Sequence, residues 1–535
     1  MRVEVPRAMD YIARKLLMKK DHLLQLLFCF TLVSTVAVGC RSVQPGRMVC
    51  NVRAFGAKGD GKTLDHPAIN RAIDAAAKMG GGTVVVPPGV YLCGSIHLQS
   101  NIHLDIEAGA TILGAAQKLN AYDLTEPWIN NPYQDGGHCY FHNSLIWGEN
   151  LTNVFITGHG MINGGGLVRS DDLLDQMCGF SEWNPTNYTP VNTNYPPCRL
   201  GNKAIALKLC RNVLIRDITI YHGGHFAILV TGCDDMTVDN VTMDTDRDGI
   251  DLDCCRNAMV SNCRINSPND DALCPKSSYA LGRKVITENL TIVNCQVSGF
   301  EEGTLLDGTM KPNRNHVGRI KFGTEAAGGF RNCTVANCTF RSCRGLALEE
   351  VDGGIMENIS INNLTMMDVP NYAIYITTGK RNRAPLIEAP SVCRNIFISN
   401  VIADGVGRAA SVEIFGLPDH PVEGVRLDNI HIVNNGGGTA ASAAQMPKEL
   451  AYDYPEPRGI MPAYGVFVRH VKGLELANFN LSFKTNDFRP AIICSDVNGL
   501  EIDNFKAQVA DGVKASALTD NVSGIVIRNS PVLEK

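Results

Sequence analysis

Residues 212–265 read NVLIRDITIYHGGHFAILVTGCDDMTVDNVTMDTDRDGIDLDCCRNAMVSNCRI and repeat one nine-residue pattern three times. Each copy begins with Asn or Asp, has a second Asn or Asp five positions later, and alternates apolar with polar residues around both. The copies start at Asn212, Asp235 and Asn257. Alternation with period two indicates strands, and Asn at fixed offsets indicates turns. The spacing of the starts defines a coil of about 22 residues, as expected for a repeat architecture.

The pattern continues through the rest of the chain, with longer gaps where loops are inserted. Further copies begin at Asn289, Asn332, Asn358 and Asn395, and looser ones at Gly424, Gly473 and Gly499. Short strands at regular spacing without intervening helices predict an all-β fold, a right-handed parallel β-helix. A β-sandwich would also have short strands, but it would not place Asn in register from copy to copy.

A capping segment is predicted before the repeats, over residues 55–91. Apolar residues at helical spacing predict a helix that begins after Asp65 as its N-cap. Gly80–Gly82 would end this helix, and Thr83–Val86 reads as a strand. Such a helix would cover the exposed core at one end of a β-helix.

The cysteines follow the same register. Cys263, Cys295 and Cys338 occupy the seventh position of three consecutive copies. Side chains stacked on parallel strands have parallel Cβ vectors, which suit a disulfide poorly. We therefore expect buried thiols that act as small hydrophobes. No pairing of ligands suggests a metal site, and no cofactor is expected.

The N-terminal 39 residues are typical of an export signal. Residues 23–39 are apolar after Lys19 and Lys20, and they lead into Ala-Val-Gly-Cys, which resembles a bacterial lipoprotein cleavage site. Cys40 would then carry the lipid, and residues 40–535 would form a single β-helix domain in the bacterial cell envelope, either in the periplasm or as an outer-membrane lipoprotein. Secretion without a lipid is the alternative.

Composition restricts the class of partner. The chain has 535 residues, of which 44% are hydrophobic and 19% charged, as in a globular protein. Without residues 1–39 it retains 43 basic and 51 acidic residues, a net charge of −8. Such a charge gives no global attraction for nucleic acid. The membrane would be contacted only through the lipid anchor.

Three carboxylates mark the candidate active site. Asp248 and Asp270 lie 22 residues apart, which is one coil, and Asp271 follows directly. We expect Asp248 to stack on Asp270 at one patch of surface. Crowded like charges push proton affinities apart, which suits an acid/base pair. Asp244 and Asp253, in the same stretch, are interpreted as solvated turn residues.

Basic residues and histidines that would bind the substrate are predicted on neighbouring coils. Arg319 and Lys321 share one face of a strand by period two, and they would form a local basic cluster for an anionic sugar. The alternative is a surface strand with ordinary salt bridges. His222 and His225 lie one coil before Asp248, where a sugar subsite is expected.

These motifs resemble glycoside hydrolase family 28, the polygalacturonase-like pectin hydrolases, from about Phe55 to the 480s. The Asn-x-Asp motif of the family is matched by residues 246–248, its Asp-Asp motif by residues 270–271, and its Arg-Ile-Lys motif by residues 319–321. The resemblance implies that Asp270 is the general acid, that Asp248 and Asp271 activate water, and that the anomeric configuration inverts.

Two positions depart from the family pattern. Asp246 replaces the Asn of the first motif, at a place where substrate would bind. Phe300, Glu301 and Glu302 replace the histidine of a Gly-His-Gly segment, and His316 is the nearest alternative histidine. A substrate other than plain polygalacturonan is therefore expected.

The sequence leaves three functions open. The first is hydrolysis of galacturonic-acid-containing pectic polysaccharide or oligosaccharide, and the long insertions at 165–200 and 435–462 favour exo action by walling off a groove. The second is a Ca²⁺-dependent polysaccharide lyase. The third is a non-catalytic glycan-binding β-helix. Glycosidases that retain the anomeric configuration hold their two carboxyls about 5 Å apart, and inverting ones hold them about 6.5–9.5 Å apart. A coil spacing of about 4.8 Å therefore favours retention, whereas the resemblance implies inversion.

Overall fold

The computed structural model describes residues 48–126, 136–169, 199–382, 389–407, 409–449, 460–519 and 521–533. The described residues from Val49 onward form one compact unit. The predicted export signal and Cys40 lie outside the described residues. Within the described ranges, no helix combines the length and apolar character needed to cross a membrane.

The described strands pair in parallel, one coil to the next, and form three sheets that we name A, B and C. Sheet A begins with Val49–Asn51, Gly82–Val86, Ile102–Ile106, Thr152–Gly158, Arg211–Arg216, Asp234–Asp239, Arg256–Ser261 and Thr287–Val293. Sheet B begins with Asp60–Leu64, Gly89–Cys93, Ala110–Gly114, Met161–Asn163, Thr219–Tyr221, Thr242–Asp244, Arg264–Asn266 and Gln296–Ser298.

Sheet C forms the third side of each coil, and the candidate site lies where two of its strands begin. Its strands are Ile96–His97, Ile146–Glu149, Lys203–Lys208, Phe226–Thr231, Asp248–Asp253, Leu273–Lys276, Lys321–Phe322, Leu346–Glu350, Ile374–Thr378, Val412–Phe415, the first parts of Val466–Thr485 and Ile492–Ala507, and Ser516–Thr519.

In the C-terminal half, sheets A and B merge because single strands run through both. These strands are Gly329–Arg341, Ile355–Met367, Val392–Val406, Val422–Gly436, Val466–Thr485 and Ile492–Ala507, followed by Ser523–Arg528. The predicted parallel β-helix is therefore confirmed. Short 3₁₀ turns at Val52–Phe55, Gln117–Leu119 and Gly136–His138, and a short helix at Ala440–Ala443, lie outside the sheets.

Two ladders of asparagine side chains connect the coils, as the repeat predicts. Every amide after the first in a ladder donates a hydrogen bond to the amide oxygen one coil earlier, at 2.6–3.3 Å. The first amides, those of Asn257 and Asn262, donate to the carboxylates of Asp234 and Asp239 at 2.8 Å. All members have φ between 53° and 58°, the left-handed region that Asn tolerates better than other side chains. The first ladder contains Asn257, Asn289, Asn332, Asn358 and Asn395; the second contains Asn262, Asn294, Asn337, Asn363, Asn400 and Asn429.

The interior consists of aliphatic columns and thiols. All fifteen cysteines in the described part of the chain are buried and free of disulfides, as expected from the parallel Cβ vectors. Cys263, Cys295 and Cys338 are each at most 1% exposed. They fill the space that valine, leucine or isoleucine fills on other coils.

The N-terminal helix spans His66–Lys78 and buries the predicted apolar face. The predicted capping role of Asp65 is wrong, because its carboxylate instead accepts hydrogen bonds from the backbone of Lys58 (2.7 Å) and Gly59 (2.9 Å). The helix ends before Gly81, whose φ of 125° and close approach to Asn101 exclude a side chain. The strand that follows is Gly82–Val86, one residue longer than predicted.

The asparagine ladder yields a stability prediction. Asn363 donates to Asn337 at 2.9 Å and accepts from Asn400 at 3.1 Å. Replacing Asn363 with Ala removes both bonds and adds strain at positive φ, so we expect a loss of about 2–3 kcal/mol in the free energy of unfolding. Asn363→Gly removes the bonds without that strain and should lose less. Urea unfolding of the three proteins is the measurement, and equal losses for Ala and Gly would contradict the role of φ.

Candidate active site

Asp248, Asp270 and Asp271 meet where the chain passes from sheet B to sheet C. One carboxylate oxygen from each lies within 4.8 Å of the other two. Asp248 begins the strand Asp248–Asp253, and the other two precede the next strand of sheet C. The sequence prediction that these three residues form one patch agrees with this arrangement.

The register differs by one residue from the expected stacking. Ile250 pairs with Leu273, so continuing the ladder places Asp248 opposite Asp271 and leaves Asp270 one position earlier. The second coil contains one more residue than the simple repeat spacing implies. Gly249 permits the close approach of the coils, because a Cβ there would lie 2.3 Å from the carbonyl oxygen of Ala272.

Asp271 is held in its ionised form by two cations. Its oxygens lie 2.6 Å from Lys321 Nζ and 2.9 Å from Arg319 Nε. Burial by itself would raise the pKa of Asp271, but the ammonium of Lys321 and the guanidinium of Arg319 outweigh it and hold the pKa well below its usual range.

The predicted sugar-binding role of the basic pair is not supported by these contacts. The side chains of Arg319 and Lys321 are 3% and 12% exposed, so the pair is not a surface cluster. Arg319 also contacts Tyr372 Oη at 2.5 Å and Glu349 at 3.6 Å. Both cations are committed to buried partners, because an ionised carboxylate inside the protein requires compensation.

Asp248 has the opposite environment. Its side chain is 4% exposed, and its Oδ1 atom has no hydrogen-bond partner among the described residues. Burial raises the pKa of Asp248 well above its usual range, and the negative charges of Asp270 and Asp251 add to the effect. Lys276 Nζ, 3.9 Å away, opposes the rise without cancelling it. The site therefore contains one carboxyl that retains its proton beside one that does not.

Asp270 is the most accessible of the three carboxylates. Its side chain is 27% exposed, and it accepts a hydrogen bond from Arg247 Nη2 at 2.6 Å. The backbone of the same turn is fixed by Gly318, whose N–H donates to the carbonyl oxygen of Asp270 at 2.9 Å. A sugar entering the site would meet Asp270 before the other two.

The other predicted binding residues have different environments. Asp246 accepts a hydrogen bond from Asn269 Nδ2 at 2.5 Å, which orders the turn just before Asp270. His222 is partly exposed, and its Nδ1 lies 2.9 Å from Glu302 Oε1. His225 is fully buried and packs edge-on against Phe226, which argues against the predicted sugar contact.

Glu302 reaches His222 because the loop after Gln296–Ser298 folds back over earlier coils. Arg169 completes the cluster, with Nη1 2.6 Å from Glu302 Oε2. The loop is anchored by Asp244, whose carboxylate accepts from the backbone N–H groups of Leu305 and Leu306 at 3.0 and 3.1 Å. The sequence did not predict the contact between Glu302 and His222. Its only indication was that the segment containing Glu302 departs from the family pattern.

The interpretation of Asp244 and Asp253 as solvated residues is wrong, since both are fully buried. Asp253 accepts hydrogen bonds from Ser278 N at 2.7 Å and Ser278 Oγ at 2.6 Å. Alternation along a strand does not reveal that loops from later coils cover its outer face.

Lys276 and its partners were also missed as functional candidates. Its ammonium lies 2.9 Å from Glu325, 3.5 Å from Asp251 and 3.9 Å from Asp248. A lysine near the end of a buried strand could have signalled an internal ion pair. His316 contacts the carbonyl oxygen of Ser342 at 3.2 Å and lies two residues before the glycine that binds the Asp270 backbone.

Comparisons with known proteins agree with this fold. Residues 49–301 match the family described as rhamnogalacturonase A/epimerase, pectate lyase-like. A probable polygalacturonase of Vitis vinifera is 25% identical over 74% of this chain and 75% of its own length. An exopolygalacturonase of Platanus acerifolia is 24% identical over 75% of this chain and 95% of its own.

A solved structure, the exopolygalacturonase of Thermotoga maritima, aligns with 82% of this chain and 92% of its own chain. The TM-score is 0.61 at 22% identity, a similarity that concerns the fold. The fold is a parallel β-helix, and the polygalacturonase relatives indicate a glycoside hydrolase. The resemblance to glycoside hydrolase family 28 is confirmed, and the chain is a homologue of polygalacturonases.

The buried protonated carboxyl predicts a stabilising substitution. Above pH about 4 the unfolded Asp248 ionises while the folded residue keeps its proton, so this residue destabilises the fold as pH rises towards its folded pKa. Asp248→Asn should therefore raise the free energy of unfolding at pH 7 by about 1–3 kcal/mol, with no gain below pH about 4. Denaturant titrations at pH 4, 5.5 and 7 measure this.

Asp253→Asn is the matched control for Asp248→Asn. It replaces a buried aspartate whose oxygens are hydrogen-bonded by Ser278, so an amide nitrogen would face a donor. This variant should lose stability at every pH. A loss of stability in Asp248→Asn at pH 7 would contradict the assigned environment of Asp248.

Proposed function

We propose that the protein hydrolyses galacturonic-acid-containing pectic polysaccharide or oligosaccharide with inversion at the anomeric carbon. The observation that carries the proposal is the contrast between Asp248 and Asp271, adjacent carboxyls with oppositely displaced pKa values beside an accessible Asp270. The polygalacturonases among the relatives give the class of substrate. Exo action is proposed from the long insertions at 165–200 and 435–462, of which residues 170–198 and 450–459 lie outside the described part of the chain.

Asp270 is proposed as the general acid. It is the only one of the three carboxyls with substantial exposure, so it is the one that can reach the glycosidic oxygen. The proton comes from the cluster itself, because Asp248 retains one and lies within 4.8 Å. A sugar that draws Arg247 away from Asp270 would favour transfer of that proton to Asp270.

Asp271 and the newly ionised Asp248 are proposed to activate water. Their side chains are 1% and 4% exposed, so neither can itself approach an anomeric carbon as a nucleophile. A water molecule can occupy the space between these carboxylates and the sugar, and attack by water inverts the configuration. The value of 4.8 Å is an upper limit for one oxygen from each carboxylate and does not measure the distance between the carboxyls across a bound sugar.

The substrate is proposed to differ from plain polygalacturonan. Arg319 and Lys321, which would recognise an anionic sugar at the cleavage site, are engaged with Asp271. Asp246 adds negative charge in the turn just before Asp270. A mixed pectic chain with a less acidic residue at this position fits such a site better than consecutive galacturonates.

A Ca²⁺-dependent lyase is the competing enzyme, since three carboxylate oxygens converge. The existing ion pairs disfavour it. Asp271 is compensated by two cations and Asp270 by Arg247, so binding Ca²⁺ would require displacing buried partners.

The decisive experiment is product analysis by NMR with polygalacturonan, rhamnogalacturonan and their oligosaccharides, with and without EDTA. We expect saturated products of inverted configuration, formed equally with and without EDTA. Asp270→Asn should lower kcat/KM by about 10²–10⁴-fold, because the leaving oxygen loses its proton donor. Asp404→Asn, at an exposed ion pair with Lys484, is the control and should retain activity.

Other results would exclude the proposal. Unsaturated products that disappear with EDTA would identify a lyase, and a retained anomer would identify a covalent intermediate. Full activity in Asp270→Asn would remove this residue from the reaction. Glycan binding without any product, unchanged in Asp270→Asn, would support the non-catalytic alternative.

We further propose export to the cell envelope and lipidation at Cys40, which suit an enzyme whose polymeric substrate lies outside the cytoplasm. In a bacterial host fed an alkyne fatty-acid analogue, the wild type should incorporate the label and fractionate with membranes. Cys40→Ala should do neither. Label in Cys40→Ala, or a wild type free of label, would contradict anchoring at this residue.

A further inference from the structure

Lys276 is a buried cation placed directly behind the carboxylate cluster. It ends the strand Leu273–Lys276 of sheet C, and its side chain is 8% exposed. Its ammonium faces three carboxyl groups, of which Glu325 is nearest at 2.9 Å, Asp251 is at 3.5 Å and Asp248 is at 3.9 Å. The same ammonium thus connects the site to the protein interior.

The position of Lys276 is not explained by structural pairing alone. Glu325 is already paired with Arg381 at 3.2 Å, so it does not depend on Lys276 for a cation. Both oxygens of Asp251 are buried and without a hydrogen-bond partner among the described residues. Burial raises the pKa of Asp251 well above its usual range, and the ammonium of Lys276, which also lies 3.9 Å from Asp248, opposes that rise.

Lys276 remains charged despite its burial. Burial would lower its pKa, but the carboxylates of Asp251 and Glu325 outweigh burial and raise the pKa well above its usual range. Lys276 is therefore charged at neutral pH. Its field acts on every carboxylate of the cluster in the same direction, towards ionisation.

We propose that Lys276 is a positioning residue of the hydrolytic reaction, whose ammonium stabilises Asp248 as a carboxylate once the proton of the cluster has moved to Asp270. This inference rests on the proposed function. Glu325 modulates the effect, because its carboxylate is the nearest partner of the ammonium, at 2.9 Å.

The step involves one proton and no change of oxidation state. The O–H bond on Asp248 breaks and an O–H bond forms on Asp270, while the negative charge moves from Asp270 to Asp248. Asp248 then lies beside Lys276, and Asp271 stays ionised beside Lys321 and Arg319. The result is one acid facing the leaving oxygen and two bases facing water.

The charge of the whole cluster determines the pH dependence. The active form holds one proton on the Asp248–Asp270 pair, so activity should fall when a second proton binds and when the single proton is lost. The titratable and charged groups that face this pair are Asp251, Asp271, Glu325, Lys276, Lys321, Arg247, Arg319 and, beside Asp251, His138.

Two substitutions should shift the pH profile in opposite directions. Lys276→Met removes a positive charge, so both limbs of the kcat profile should move up by about one pH unit, with kcat reduced about tenfold or more and KM little changed. Glu325→Gln removes the negative charge nearest the ammonium, so the net charge around the cluster becomes more positive and both limbs should move down. A purely structural role would lower activity or stability without opposite shifts.

Lys208→Met is the matched control. Lys208 stands in the same column of sheet C, linked through Thr231 and Asp253 to Lys276 by the strand register. Its ammonium pairs with Glu149 at 3.1 Å, away from the carboxylate cluster. Removing it deletes the same kind of side chain from the same face and should leave both limbs in place.

A second readout does not depend on activity. Infrared spectra recorded against pH follow the C=O band of protonated carboxyls, and the component lost in Asp248→Asn identifies the cluster. This component should persist to higher pH in Lys276→Met and vanish at lower pH in Glu325→Gln, with Lys208→Met matching the wild type.

The two readouts distinguish the possible failures. A wild type without hydrolytic products but with the opposite infrared shifts would reject the proposed function and retain the coupling of Lys276 to the cluster. An unshifted band or unshifted limbs in Lys276→Met would overturn the inference. If Lys276→Met does not fold, Glu325→Gln serves as the test. The inference would then be overturned if the limbs of its kcat profile, or its infrared band, stayed in place or moved to higher pH.

Discussion

In-register parallel pairing of successive coils is the constraint on which the rest of this structure depends. Each strand must place its hydrogen-bonding groups against the strand one coil earlier, about 4.8 Å away. Every side chain therefore repeats along a column, and each column must contain residues that tolerate like neighbours. Asparagine amides satisfy this by donating to one another, and thiols and aliphatic side chains satisfy it by packing.

Aspartates in neighbouring columns repel one another when they are ionised, so they do not tolerate like neighbours without nearby cations or bound protons. This repulsion separates the proton affinities of the site carboxyls. Asp248 keeps a proton because it is buried against other carboxyls, whereas Asp271 is ionised because Lys321 and Arg319 come from the next coil. Buried ion pairs contribute little net stability, but they fix charge states and geometry. The same coil spacing that builds the core thus produces a pair of carboxyls with opposite proton affinities.

The sequence predicted the features that repeat from coil to coil and missed those that depend on loops and turns. The repeat located the strands, the ladders and the patch of Asp248, Asp270 and Asp271, because these depend on periodicity along the chain. It misplaced the stacking by one residue, since the coil that carries Asp271 is one residue longer, and it treated Arg319 and Lys321 as a surface pair. Neither coil length in a turn nor coverage by a later loop leaves a periodic signal.

The sequence by itself determined the fold, because an asparagine that recurs with alternating apolar residues is stable only where coils stack in register. It also determined which chemical groups are available at the site. Only the tertiary structure decided their protonation and partners. Burial, the return of the Glu302 loop to His222, and the convergence of Lys276 with Asp251 and Glu325 depend on segments distant in the chain. Electrostatic free energies are set by distances across coils and by exclusion of water, and these exist only once the chain has folded.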